Sequence, residues 1–139
     1  MAIALLDDGR ICFRQDNMDV AFDRLRQGAE LLARWYPRGA SAAYAAYDVA
    51  AAAAAAGNPD DARVWIRNAE QAVGDDREAQ RSMIATMLYV TRWVANAGDI
   101  VTARRLLSEA RDLSSHTTQW RSHIDAAAAH VADLAKRFR

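Results

Sequence analysis

The sequence predicts an all-α chain: an α-α solenoid of three helical hairpins plus a C-terminal capping helix, seven helices in all. Three observations carry this expectation. The stretch AGNPDDARVWIRNA, Ala56 to Ala69, returns 41 residues later as AGDIVTARRLLSEA, and 41 residues earlier as QDNMDVAFDRLRQG. A fixed period of this length marks stacked supersecondary units, each of which buries its apolar face against the next. The register needs no gap, since Ala21, Ala62 and Ala103 coincide, as do Leu25, Ile66 and Leu107, then Gly28, Ala69 and Ala110. The second observation is composition: 52% of the 139 residues are apolar, many of them alanine, the strongest helix former. The third is the punctuation between units, Gly57-Asn58-Pro59 and Gly98-Asp99, where a C-terminal glycine meets the cap of a new helix.

Taken in order, residues 2–14 place Ile3, Leu6 and the Ile11-Cys12-Phe13 cluster at helical spacing, weakened at Gly9. A second helix runs from about Met18 to Arg34, capped by Asp16 or Asn17 and ended by Pro37 and Gly39, so the first unit covers about 2–34. Ser41 opens a third helix whose uninterrupted alanine run, Ala50 to Ala56, fits a position crowded by neighbours on several sides. Gly57 and Pro59 turn the chain within about two residues into a fourth helix ending at Gly74, and the second unit spans about 41–73. Asp75 with Glu78 reads as a capping box for one long fifth helix to about Asn96; a sixth runs from Ile100 to about Leu113, and the third unit spans about 76–113. After SSHTT the last helix, capped by Thr117 or Thr118, covers about 118–138 with Ile124, Ala127, Val131, Leu134 and Phe138 inward and His123 and His130 on the wet side.

Charge excludes some functions. With 18 basic and 18 acidic residues and no run of one sign beyond a dipeptide, nothing marks a nucleic-acid or acidic-membrane surface. No stretch reaches the roughly 20 apolar residues of a membrane span, and the opening MAIALLDDGR turns acidic at Asp7, too early for a signal peptide. Cys12 is the only cysteine and reads as a small core residue. A cytoplasmic location is expected, and the near-replacement of lysine by arginine, Lys136 excepted, hints at a GC-rich bacterial source. No nucleophile elbow, phosphate loop or zinc-protease helix is present, so the chain is expected not to be an enzyme and to need no cofactor. His116, His123 and His130 recur by sevens. Seven helical residues rise about 10.5 Å, too far for two imidazoles to share one metal ion.

The small residues at fixed offsets resemble the second-helix signature of the tetratricopeptide repeat. The matching positions are Gly57, Ala62, Ile66 and Ala69; Gly98, Ala103, Leu107 and Ala110; and, less closely, Asp16, Ala21, Leu25 and Gly28. Gly9, Ala50 and Thr91 stand where the family prefers a small residue in its first helix. The chain departs from the family in its 41-residue period, longer than the usual one, and in lacking the large aromatic near the start of the first helix, where Leu5, Ala46 and Met87 stand. The resemblance implies a right-handed array whose first helices line a concave groove for a partner segment, and a long-repeat type that also serves as sensory domains of bacterial transcription regulators. Carried onto this chain, it places Ile3, Leu6, Arg10, Arg14, Tyr44, Tyr47, Ala51, Ala85, Leu88, Arg92 and Asn96 on the groove, with Asp48 and Tyr89 at its edge. Tyrosines beside arginines suit peptide recognition, supplying contact area at low rotamer cost together with forked donors. The lysine and asparagine pattern of chaperone-tail-binding members is absent.

The expected partner is therefore a protein or peptide segment. Two further surfaces stand out. Trp35 and Tyr36, beside the Pro-Gly loop, form a possible second contact face. Ile3, Leu5, Leu6 and Ile11, on a first helix with nothing to cap it, form a possible self-association edge for a homodimer.

Overall fold

The computed structural model describes residues 1–138 and is all-helical, with no strand among them. Eight helices follow one another: α1 (Ala2–Arg14), α2 (Met18–Trp35), α3 (Ala40–Ala55), α4 (Pro59–Val73), α5 (Arg77–Ser82), α6 (Ile84–Asn96), α7 (Ile100–Leu113) and α8 (Arg121–Arg137). Consecutive helices pair as α1–α2, α3–α4 and α6–α7. Gly57 and Gly98, both with positive φ (84° and 94°), turn the chain into the last two return helices. Pro59 occupies the first turn of α4 with Asp60 and Asp61 beside it, where the helix dipole favours negative charge.

The hairpins do not join by one repeated contact. α3 packs on α2 in front of it, on α4 behind it and on α6 beyond, while α8 closes the far end against α6 and α7. α3 is thus the hub, and its alanines answer that role: Ala43, Ala45, Ala46 and Ala50 to Ala54 are all buried. A side chain ending at Cβ lets three helix axes approach one helix closely, which larger residues would prevent. The equivalent positions Ala21, Ala62 and Ala103 are each 0% exposed, and Leu25, Ile66 and Leu107 are buried beside them.

Three boundaries differ from the sequence reading. α3 begins at Ala40 with Gly39 in the cap position, two residues ahead of the expected cap, Ser41. The cap that opens the third unit is Asp76, whose carboxylate accepts from the amides of Glu78 and Ala79, in place of Asp75. α8 begins at Arg121, the Thr117 hydroxyl serving instead the short turn before it by accepting from the Gln119 amide.

The helix count rises from seven to eight because the expected fifth helix breaks at Met83. The Tyr44 hydroxyl donates to the Ser82 carbonyl at 2.9 Å, and the Met83 amide bonds back to Gln80. A helix carbonyl taken by a distant donor is not needed by its own helix, and a tightened turn results. Met83 itself is buried at this corner.

Candidate functional site

α1, α3, α6 and α8 share one face of the molecule, and side chains from these helices line two adjacent notches on it. The first, of about 320 Å³, is lined by Arg10, Phe13 and Arg14 of α1, Asp48 and Ala51 of α3, and Tyr89 of α6. The second, of about 310 Å³, lies between α6 and α8 and is lined by Ala85, Leu88, Tyr89 and Arg92 opposite Trp120, His123 and His130. Tyr89 belongs to both.

The first notch is held by an ion pair and an aromatic cluster. Arg10 Nε donates to Asp48 Oδ2 at 3.1 Å and its Nη2 lies 3.0 Å from the same oxygen, while Nη1 reaches Asp7 at 3.2 Å. Burial raises the Asp48 carboxyl above its ordinary pKa, and Arg10 pulls in the opposite direction without cancelling it. Phe13 meets the Trp93 ring edge-on at 5.2 Å and the Tyr89 ring at 6.1 Å, joining α1 directly to α6. Burial also raises the Tyr89 hydroxyl. The Trp93 indole N–H is enclosed and makes no bond of full hydrogen-bond geometry, yet lies close enough to that hydroxyl to oppose the shift.

Of the residues the sequence assigns to a groove, this face brings together Arg10, Arg14, Asp48, Tyr89 and Arg92, with Ala51, Ala85 and Leu88. Asn96 sits at its far edge, where its side-chain oxygen is 2.8 Å from His130 Nε2, tying α6 to α8.

Two tyrosines do not join the notches. Tyr44 is committed to the Ser82 carbonyl. Tyr47 is 3% exposed and lines a separate cavity among α3, α4, α6 and α7. Its neighbour Asp48, about 100° further round α3, faces the first notch, while Tyr47 is enclosed on the side of α4 and α7.

The proposed edge on α1 is likewise incomplete. Ile3 and Ile11 are 73% and 45% exposed, but Leu5 is half-buried and Leu6 is packed into the α1–α2 hairpin, unavailable to a second copy. Trp35 and Tyr36 stand out from the end of α2, 77% and 66% exposed.

Phe13, Trp93, Trp120, His123 and His130 were not among the sequence-assigned site residues. The sequence puts the two histidines on a wet face; they line the second notch, and Trp120 packs edge-on against His123 at 5.6 Å. Their seven-residue spacing was the available signal, since it puts both on one side of α8, but only the packing of α8 on α6 shows which neighbour that side meets.

Set against known proteins, the chain matches no family model, no curated protein and no solved structure. No helix among the described residues is long and apolar enough to cross a membrane, and no three of their His, Cys, Asp or Glu side chains gather as a metal site.

Proposed function

We propose that the chain is a tetratricopeptide-like α-α solenoid acting as a protein-interaction module, and that it takes a partner segment along the face of α1, α3, α6 and α8. The observation that carries this reading is the pair of notches meeting at Tyr89, flanked by two arginines, Arg14 and Arg92, that make no ion pair with any described residue. Most nearby charges are already matched, as Arg10 is by Asp48. An unmatched guanidinium beside an aromatic surface favours a carboxylate-bearing segment, because its fork binds two oxygens while the ring covers the apolar stem. The reading includes a cytoplasmic, non-enzymatic role in which binding is the whole activity.

The test is selection from a random peptide display library, followed by affinity measurement on the enriched peptides. Enrichment of acidic peptides, with at least about tenfold weaker binding to an Arg14→Glu, Arg92→Glu variant of unchanged helicity, is the expected result. Equal binding by that variant removes the groove reading.

A second reading rests on the exposure of Ile3 and Ile11: two copies associate through α1. Sedimentation equilibrium decides it, with a dimer that dissociates on Ile3→Asp, Ile11→Asp as the expected outcome. A monomer at high micromolar concentration ends it.

A further inference from the structure

Away from the notches, the cavity that takes in Tyr47 encloses about 270 Å³ among α3, α4, α6 and α7, with the short α5 at its mouth. This is just below the roughly 300–1,000 Å³ typical of drug-sized ligand sites, so an occupant must be small. Its floor is apolar, built by the buried Met83 and Met87 with Leu113, and methionine adapts its shape and polarizability to a flat or irregular guest.

Its wall is polar and unbalanced. Arg105 donates to Glu70 at 2.8 Å and to Glu109 at 2.9 Å, so one guanidinium serves two carboxylates. Arg77 and Asp112 at the mouth neutralise each other at 3.1 Å, leaving one negative charge over. Burial, and next the neighbouring Glu70 carboxylate, raise Glu109 above its ordinary pKa, as expected for an acid short of positive partners.

Tyr47 adds an independent observation. It is 97% buried, lines this cavity, and makes no hydrogen bond to another described residue. Burial and, after it, the Glu70 and Glu109 charges push its hydroxyl pKa upward, which keeps it protonated. Its hydroxyl is not sealed from solvent, and the cavity that Tyr47 lines is where a guest can take the place of water on it.

We infer that this cavity is a binding site for a small organic ammonium ion carrying an apolar arm. The ammonium donates to the carboxylates of Glu109 and Glu70, the Tyr47 hydroxyl oxygen accepts a third bond, and the arm lies on Met83 and Met87. Arg105 competes for the same carboxylates from the rim. α5 is the natural door, since it is short and is held by few contacts: the Arg77–Asp112 pair, the Tyr44 bond to the Ser82 carbonyl, the Gln80 bond to the Gly74 carbonyl and its junction with α6. The site stands apart from the face with Tyr89 and does not depend on how that face is used.

Phenethylamine is a suitable probe, with phenethyl alcohol as its neutral match. Amide and methyl NMR shifts of the full chain are recorded during titration to about 10 mM, the range in which weak small-ligand sites saturate. Saturable shifts centred on Tyr47, Met83, Met87 and Leu113 are expected for the amine, with the alcohol at least about tenfold weaker because it lacks charge-assisted bonds. Tyr47→Phe and Glu109→Gln should each weaken the amine, and Arg105→Gln should tighten it by removing the competing cation. Equal shifts for amine and alcohol overturn the inference, as does no saturable shift, or an amine affinity unchanged in a folded Glu109→Gln variant. Should the variants fail to fold, the comparison of amine with alcohol on the native chain decides alone.

Discussion

Leu6 sits in the space that a side chain at Gly28 would occupy: a Cβ added at Gly28 would lie 2.8 Å from Leu6 Cγ and 3.1 Å from the Leu6 amide. The relation is reciprocal, since a Cβ at Gly9 would lie 2.6 Å from Leu25 Cγ. Each helix of the first hairpin thus offers a glycine notch to the other's leucine, and α1 and α2 approach more closely than alanine would permit. Both glycines are mid-helical, where exchange for alanine ordinarily gains about 1 kcal/mol in helix propensity. Here that gain is opposed by overpacking of about 1–3 kcal/mol, with backbone as well as side chain in the way. Gly28→Ala is therefore expected to lower stability by up to about 2 kcal/mol in urea denaturation. A stabilised variant would show that α1 and α2 are not packed so tightly.

The Tyr44 hydroxyl has a similar bridging role, fixing the break between α5 and α6 through the Ser82 carbonyl. Tyr44→Phe keeps the ring and removes the bond, so a loss of about 0.5–1.5 kcal/mol is expected. Its signature should be local: amide exchange accelerated from Ser82 to Met87 and unchanged in α1 and α2. If instead the sequence's own preference made the break, Phe would leave exchange there as it was.

These two contacts separate what could be read in the sequence from what could not. Helix ends marked by Gly57, Pro59, Gly98 and Asp99 were legible because caps and turns are local chemistry. So was the crowding around Ala50 to Ala54, which only a small-residue helix tolerates. Arg10, Arg14, Asp48, Tyr89 and Arg92, which the helical period and a register put together, line the two notches that meet at Tyr89. The break at Met83 was hidden because the contact that accompanies it, the Tyr44 bond to the Ser82 carbonyl, joins residues 38 apart in the chain. Tyr47 was misplaced because one residue turns a side chain from one neighbour to the next in a helix that has neighbours on several sides. The histidine notch was missed because nothing local states which way α8 lies.

Asp99 gives an acid-sensitive joint between α4 and α7. Its carboxylate accepts from the Thr102 amide at 3.2 Å, capping α7, and from Arg63 at 2.8 Å, and Arg63 also pairs with Asp60. Burial would raise its pKa, but the bonds from Thr102 and Arg63 together outweigh that and hold it below the ordinary 3.8. A folded pKa below the unfolded one means stability that is complete above the unfolded value and is lost as pH falls through the folded value. Asp99→Ala should therefore cost about 0.5–2 kcal/mol at pH 7. The gap between the two proteins should close below about pH 4, the ordinary range of an aspartate. A gap that persists at pH 2 would mean that Asp99 acts through packing rather than charge.

Asp48 titrates with the opposite sign, although it too has an arginine partner. Burial beside α1 and α6 dominates, so its folded pKa stands above 3.8 despite Arg10. A raised carboxyl opposes folding while it is ionised, and that penalty disappears as pH falls through the folded pKa. Removing Arg10 takes away both the nearby charge and the hydrogen bond that hold the carboxylate ionised, and leaves the burial. Carbon-detected NMR titration of Asp48 should accordingly show a carboxyl above the ordinary aspartate range in the native chain and higher still in Arg10→Ala. The variant should lose stability at pH 7 and recover part of it as pH falls through the raised Asp48 pKa, since protonation relieves a buried, unpaired charge. A lower Asp48 pKa in Arg10→Ala would mean that water enters once the arginine is gone, and that the first notch is open to solvent at its base.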